Sequence, residues 1–266
     1  GAGGGAAIAS AGGATGRACA PAGASRGAHE AIDLRDGGPR FGGLGVDGAV
    51  AAVNGEIAAL LDGRDAADQA GLDEAMTITD GTANLARFGA NATVAVSLAA
   101  LHATAAAAGL PLWAHLAQGG KPRLPLPEIQ IFGGGAHAGR RTDVQDFMIM
   151  APRADSVRHA LEITADVFHA AGRLMQETGR LAGAADEGGW WPMFTSNEDA
   201  LDALTRSIEM AGYRPGEDVF LSLDVAANEL HADGRYRLGL DGADFSSAEM
   251  VERVTDGVRR YPILSI

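Results

Sequence analysis

The chain has 266 residues, enough for a sizeable core, and its 34 Asp and Glu against 21 Lys and Arg leave a formal net charge of −13. No Lys/Arg cluster is long enough to follow a phosphate backbone, so nucleic acid is not an expected partner, and an anionic small molecule would need a local cationic or metal-bearing pocket. The single cysteine, Cys19, leaves no internal disulfide framework and fits a reducing compartment, which makes the cytoplasm the expected location.

Residues 1–16, GAGGGAAIASAGGATG, read as a low-complexity Gly/Ala tail without packed structure and without the charged start of a signal peptide. No apolar run approaches the roughly 20 residues that span a bilayer. A loop-rich stretch around PAGASRGAHEAIDLRDG precedes a helix predicted over 45–61 from the spacing of Val46, Val50, Val53 and Ile57. Further helices are predicted over 65–75 and 91–108, the last stopped by Gly-Leu-Pro. The pattern changes after GGKPRLPLPE, which sets a boundary near residues 118–123 and divides the rest into units 17–120 and 121–266.

In the second unit LPEIQIF and VQDFMIM read as strands, followed by a helix over 155–178, a short strand near GAADEGG, a helix over 197–211 and the strand VFLSLD. A hairpin with Asp-Gly at its turn follows, then a helix over 246–260 opened by a Ser-Ser-Ala-Glu capping box, and the apolar run PILSI. Strands separated by helices predict parallel βαβ units, either an open doubly wound sheet or a (β/α) barrel. In both, chemistry gathers at the carboxyl ends of the strands, where Asp186, Glu187 and Asp224 fall. The chain does not start with Met and closes on a strand-like run that expects neighbours, so a sequence truncated at both ends is expected.

Asp224 ends an apolar strand, where a hard oxygen ligand suits magnesium and a turn-forming role suits equally well. Glu187 precedes two glycines that let a backbone approach a ligand, and fits either general acid–base work or a solvated turn. His137 lies in the glycine-rich GGGAHAG, which lacks the Gly-Lys-Ser/Thr ending of a phosphate-binding loop. Alternation puts Gln145 and Phe147 on one strand face and Asp146 on the other, and Asp146 among apolar neighbours needs a partner if buried. Ser25, between glycines, suits a lid or a plain surface loop. His102, His115, His159 and His169 read as structural, and Trp190 and Trp191 as pocket walls or packing.

These stretches, with RFGANATVAVSLA, LPLWAHL, SNEDALD, AGYRPGEDV and LDVAANE, resemble the enolase family in order from about Arg17 to Ile266. The resemblance implies an α/β chain: a small α+β N-terminal domain and the first part of an enolase-type (β/α) TIM barrel. It further implies magnesium-dependent dehydration of 2-phosphoglycerate to phosphoenolpyruvate in glycolysis, a small anionic substrate and a homodimer. By the same resemblance Asp224 is a metal ligand, Glu187 the acid that helps the hydroxyl leave, His137 the histidine of the substrate loop, and Ser25 a lid residue reaching a second metal. Gln145 and Asp146 fall where the family has Gln-Glu, with Asp146 one methylene shorter, a retreat of about 1.5 Å. Arg140 and Arg141 add positive charge beside the substrate loop, which also suits a diverged branch acting on a phosphonate, like carboxyphosphonoenolpyruvate synthase. The family's other metal carboxylates and its lysine base have no counterpart in the sequence, whose one lysine is Lys121. The expectation is therefore that this chain by itself is inactive, and a non-catalytic half-barrel that binds a partner is the third reading.

Overall fold

A computed structural model of the chain describes residues 5–9, 13–23 and 26–266. It divides into two compact units, residues 1–123 and 124–266. Ser25 lies outside the described residues.

In the first unit β1 (Gly5–Ala9) and β2 (Thr15–Cys19) pair as an antiparallel ribbon. The Gly/Ala tract, expected to lack packed structure, thus contains a strand. The physical reason is small size: a Cβ at Gly16 would lie 2.0 Å from the Ala99 carbonyl oxygen, so the ribbon approaches a helix to backbone contact. The predicted helix over 45–61 is realised as α1 (Asp47–Ala52), a π-helical turn over Val53–Ile57, and α2 (Ala58–Leu61). After α3 (Gln69–Asp80) comes α4 (Ala90–Ala107), which buries Ala92, Ala95, Val96 and Ala99 in the core with Ile57, Met76 and Phe88. By length and composition α4 is apolar enough to cross a membrane, contrary to the expectation that no segment would be, and half of it is buried within the fold. The short α5 (Leu112–Ala117) closes the unit.

Asp80, 3 % exposed at the end of α3, organises the turn that leads into α4. It accepts hydrogen bonds from the amides of Phe88 (2.7 Å), Thr82 (3.1 Å) and Arg87 (3.2 Å) and from the Thr82 hydroxyl. Burial pushes its carboxyl up, but these donors outweigh it and hold the group below the usual carboxylate range.

The second unit contains β3 (Glu128–Gly133), β4 (Asp146–Met150), α6 (Val157–Glu177), β5 (Leu181–Ala184), β6 (Trp190–Pro192), α7 (Asn197–Met210) and β7 (Phe220–Asp224). A small three-stranded sheet follows, built from β8 (His231–Ala232), β9 (Arg235–Leu238) and β10 (Ala243–Phe245), before α8 (Ser247–Arg260) and β11 (Ile263–Ser265). Its Asp233-Gly234 turn has φ of 52° and 77°, the left-handed pair that the Asp-Gly signal predicts. Ser246 caps α8 in the expected reciprocal capping box.

The main sheet has the open order β11-β7-β4-β3-β6-β5. It is mixed, which corrects the expectation of parallel βαβ units: β4 runs antiparallel to both β3 and β7, while β3 pairs parallel with β6 and β7 with β11. No crossover helix separates β3 from β4, and only a crossover could make them parallel neighbours. One sheet face packs Ile131, Phe147, Ile149 and Leu221 against Ile163, Val167 and Leu174 of α6 and Leu204 and Ile208 of α7. By the pleat, Asp146, Met148, Ser222 and Asp224 belong to the opposite face.

Asp80→Asn removes the charge from its four-donor site and is expected to destabilise the chain by about 1–3 kcal/mol at neutral pH. A carboxyl depressed in the folded state contributes stability above its unfolded pKa and loses it as pH falls through the folded value. The gap between wild type and variant should therefore close on acidification, as measured by urea denaturation from neutral to acid pH.

Candidate functional site

The reversal of β4 decides which carboxylates meet. Its first residue, Asp146, stands in register opposite Gly133 at the end of β3 and opposite Asp224 at the end of β7. The amino end of β4 thereby joins the carboxyl ends of its two neighbours, and a residue read simply as lying on a strand lands at the mouth.

Asp146 is 4 % exposed and Gln145 5 %. The Gln145 amide Nε2 donates to Asp146 Oδ2 (3.2 Å) and to Asp224 Oδ2 (3.1 Å). Gln145 was expected on the Phe147 face, away from Asp146. It precedes the first residue of β4, so strand alternation does not govern it, and its side chain reaches the carboxylates while Phe147 enters the core.

Gln130 of β3 is the residue that the sequence reading missed. Its Nε2 donates to Asp146 Oδ1 and to Glu187 Oε2 (3.3 Å), and its Oε1 accepts from the Gly189 amide (2.8 Å). Only its place on the polar face of an apolar strand, three residues before the glycines, signalled it. The result is a chain of alternating carboxylates and amides running Glu187, Gln130, Asp146, Gln145, Asp224. Asp186, also placed at a strand end by the sequence, is exposed and outside this chain of bonds.

Asp224 also forms a turn: its Oδ1 accepts from the Ala226 amide (2.9 Å), and Ala226 adopts a left-handed φ of 49°. The turn-forming and the ligand-facing roles are thus both open to one side chain, each through a different oxygen.

The segment between β3 and β4 carries the glycine-rich run. A Cβ at Gly134 would lie 1.8 Å from Thr142 Oγ1, so this passage admits only glycine. The backbone of His137 lies in the 3-10 turn Gly135–Ala138, and its side chain is outside what the structure describes. Arg140 is paired with Glu229, on the segment after β7, at 2.7 Å. Asp143 ties the end of the loop down, accepting from Asn197 Nδ2 (2.7 Å) and the Gly239 amide (2.8 Å).

The two amides that link the three carboxyl groups supply hydrogen-bond donors but no positive charge. Hard oxygen donors of this kind suit magnesium. Their number does not: among the described residues no three His, Cys, Asp or Glu converge as a metal-holding group. What the arrangement offers chemically is a cluster of acceptors with one partly exposed acid, Glu187, at its rim, suited to proton delivery to a bound oxygen.

Two family models match the chain. The enolase N-terminal domain covers residues 6–116, and the enolase C-terminal TIM barrel domain covers residues 121–266.

Gln130→Leu keeps the approximate volume but removes one hydrogen-bond partner from Asp146, one from Glu187 and one from the Gly189 amide. The expected loss is about 1–3 kcal/mol of stability, with faster hydrogen exchange at Gly189, read by urea denaturation and amide exchange.

Proposed function

Because the chain belongs to the enolase family, we propose that its activity is that of a lyase dehydrating 2-phosphoglycerate to phosphoenolpyruvate, with magnesium as cofactor. Membership alone carries the coarser statement, a lyase of this family. The single observation that carries the finer one is the meeting of Asp146, Glu187 and Asp224 at one end of the sheet through Gln130 and Gln145.

In such a reaction the C–H bond next to the substrate carboxylate breaks, its proton passes to a base, and its electron pair forms the new double bond. The C–O bond to the β-hydroxyl then breaks. Glu187, accessible and hydrogen-bonded through Oε2, is placed to give that hydroxyl a proton so that it leaves as water. Asp146 and Gln145 orient the substrate, and His137 is taken to approach it from the loop. Asp224 is the one carboxylate this chain would bring to magnesium, too few ligands to hold the ion tightly; the chemistry the ion would supply is stabilisation of the negative charge that develops on the substrate carboxylate.

A phosphonate substrate is the second reading. Arg141 favours it: an exposed cation beside the His137 turn, it has no ion-pair partner recorded among the described residues, whereas Arg140 is occupied by Glu229.

The test is calorimetric titration with 2-phosphoglycerate in the presence of magnesium, with product followed by phosphorus NMR. Saturable binding is expected, and Asp224→Asn should raise the magnesium concentration it requires. No turnover is expected from this chain by itself, whose sequence has no counterpart of the family's lysine base; in a chain supplied with such a base, Glu187→Gln should lower turnover about 10²- to 10⁴-fold. Binding of a phosphonate but not of 2-phosphoglycerate would transfer the assignment to the second reading, and binding of neither would remove both.

A further inference from the structure

The loop between β3 and β4 is closed at its base by short backbone bonds, Gly134 N to Gln145 O (2.6 Å) and Gly135 N to Thr142 O (2.9 Å). Beyond that base its tip, residues 136–141, has one ion-paired attachment to another segment among the described residues, from Arg140 to Glu229. Asp143 secures the far end with several hydrogen bonds, so the tip is the weakly held part.

Two polar atoms beside this loop are buried without a partner, Gln145 Oε1 and Trp191 Nε1. The two residues that carry them lie against its glycines. A Cβ at Gly135 would be 3.1 Å from Gln145 Cα, and one at Gly139 would be 3.0 Å from Trp191 Cζ2, on the ring edge that adjoins the indole nitrogen. Gly135, Gly139 and Arg140 all have left-handed φ, of 47°, 59° and 59°. A loop position that keeps a donor and an acceptor from water costs free energy unless something holds it.

We infer that Arg140 and Glu229 are positioning residues: their ion pair is the latch that keeps the histidine-bearing tip down over Trp191 and Gln145, and it joins that tip to the segment after Asp224. The pair acts through the loop and touches no reacting atom. An anionic ligand entering the mouth competes with Glu229 for Arg140, so the latch opens where an anion arrives, and a group carrying both a donor and an acceptor can then satisfy the two orphaned atoms. This rests on the lyase reading only for the identity of that ligand. The latch itself is measured without one.

The experiment compares hydrogen exchange over residues 135–142 in the unsubstituted chain, Glu229→Gln, Arg140→Met and the charge-exchanged pair Arg140→Glu with Glu229→Arg, while the Trp191 indole N–H is followed by NMR. Both partners are at least partly exposed, so none of these changes should prevent folding. Each single substitution is expected to speed exchange of the tip about 2- to 5-fold, the range for an ion pair near solvent, and to release the indole proton in step. Added salt should do the same in the unsubstituted chain but not in the single variants, and the exchanged pair should restore protection. Equal exchange in all four proteins overturns the latch. So does acceleration that the exchanged pair does not reverse, or that leaves the Trp191 proton unmoved. If the latch holds while 2-phosphoglycerate fails to bind, the substrate reading falls and the latch stands.

Discussion

A carboxylate buried to the extent of Asp146 has to be matched by donors, and the site described above depends on how that is met. Two glutamines supply them, from β3 and from the residue preceding β4. Each then has a second carboxylate within reach of the same amide, so the requirement at Asp146 draws Glu187 and Asp224 into one connected group. Satisfying one buried carboxyl group organises the mouth.

That group exists because of strand direction. Were β4 parallel to its neighbours, Asp146 would stand at the opposite end of the sheet from Asp224. The 12 residues between β3 and β4 form a compact loop rather than a crossover helix, which compels the reversal. Close packing of the loop in turn excludes side chains at Gly134. The shorter Asp146, where the family resemblance leads one to expect Glu, is reached by long glutamine side chains on both of its oxygens.

Small residues play a parallel part in the first unit, where Gly16 brings the β1–β2 ribbon to backbone contact with α4. There the buried carboxylate is Asp80, satisfied by backbone amides of a single turn. Asp80 and Asp146 illustrate two solutions to one problem. Local amides need nothing from the rest of the fold, whereas the Gln130 side-chain amide, from the neighbouring strand β3, requires the sheet to be assembled first.

The sequence by itself determined the element types, since helical spacing, capping serines and the Asp-Gly turn are local signals that the structure reproduces at α6, α7, α8 and β8–β9. It also determined family membership, through ordered stretches such as ADEGG and LDVAANE, and it named Glu187, Asp146 and Asp224 as candidates. Tertiary structure alone decided that β1 forms inside a Gly/Ala tract, because the ribbon's stability comes from the helix it lies on. It alone decided that Gln130 reaches Asp146 and that Gln145 reaches Asp224, because those partners are brought together by strand pairing across residues far apart in the chain. The direction of β4 is the common reason: pairing partners are non-local, and a residue's own neighbours in sequence carry no record of which strand will lie beside it.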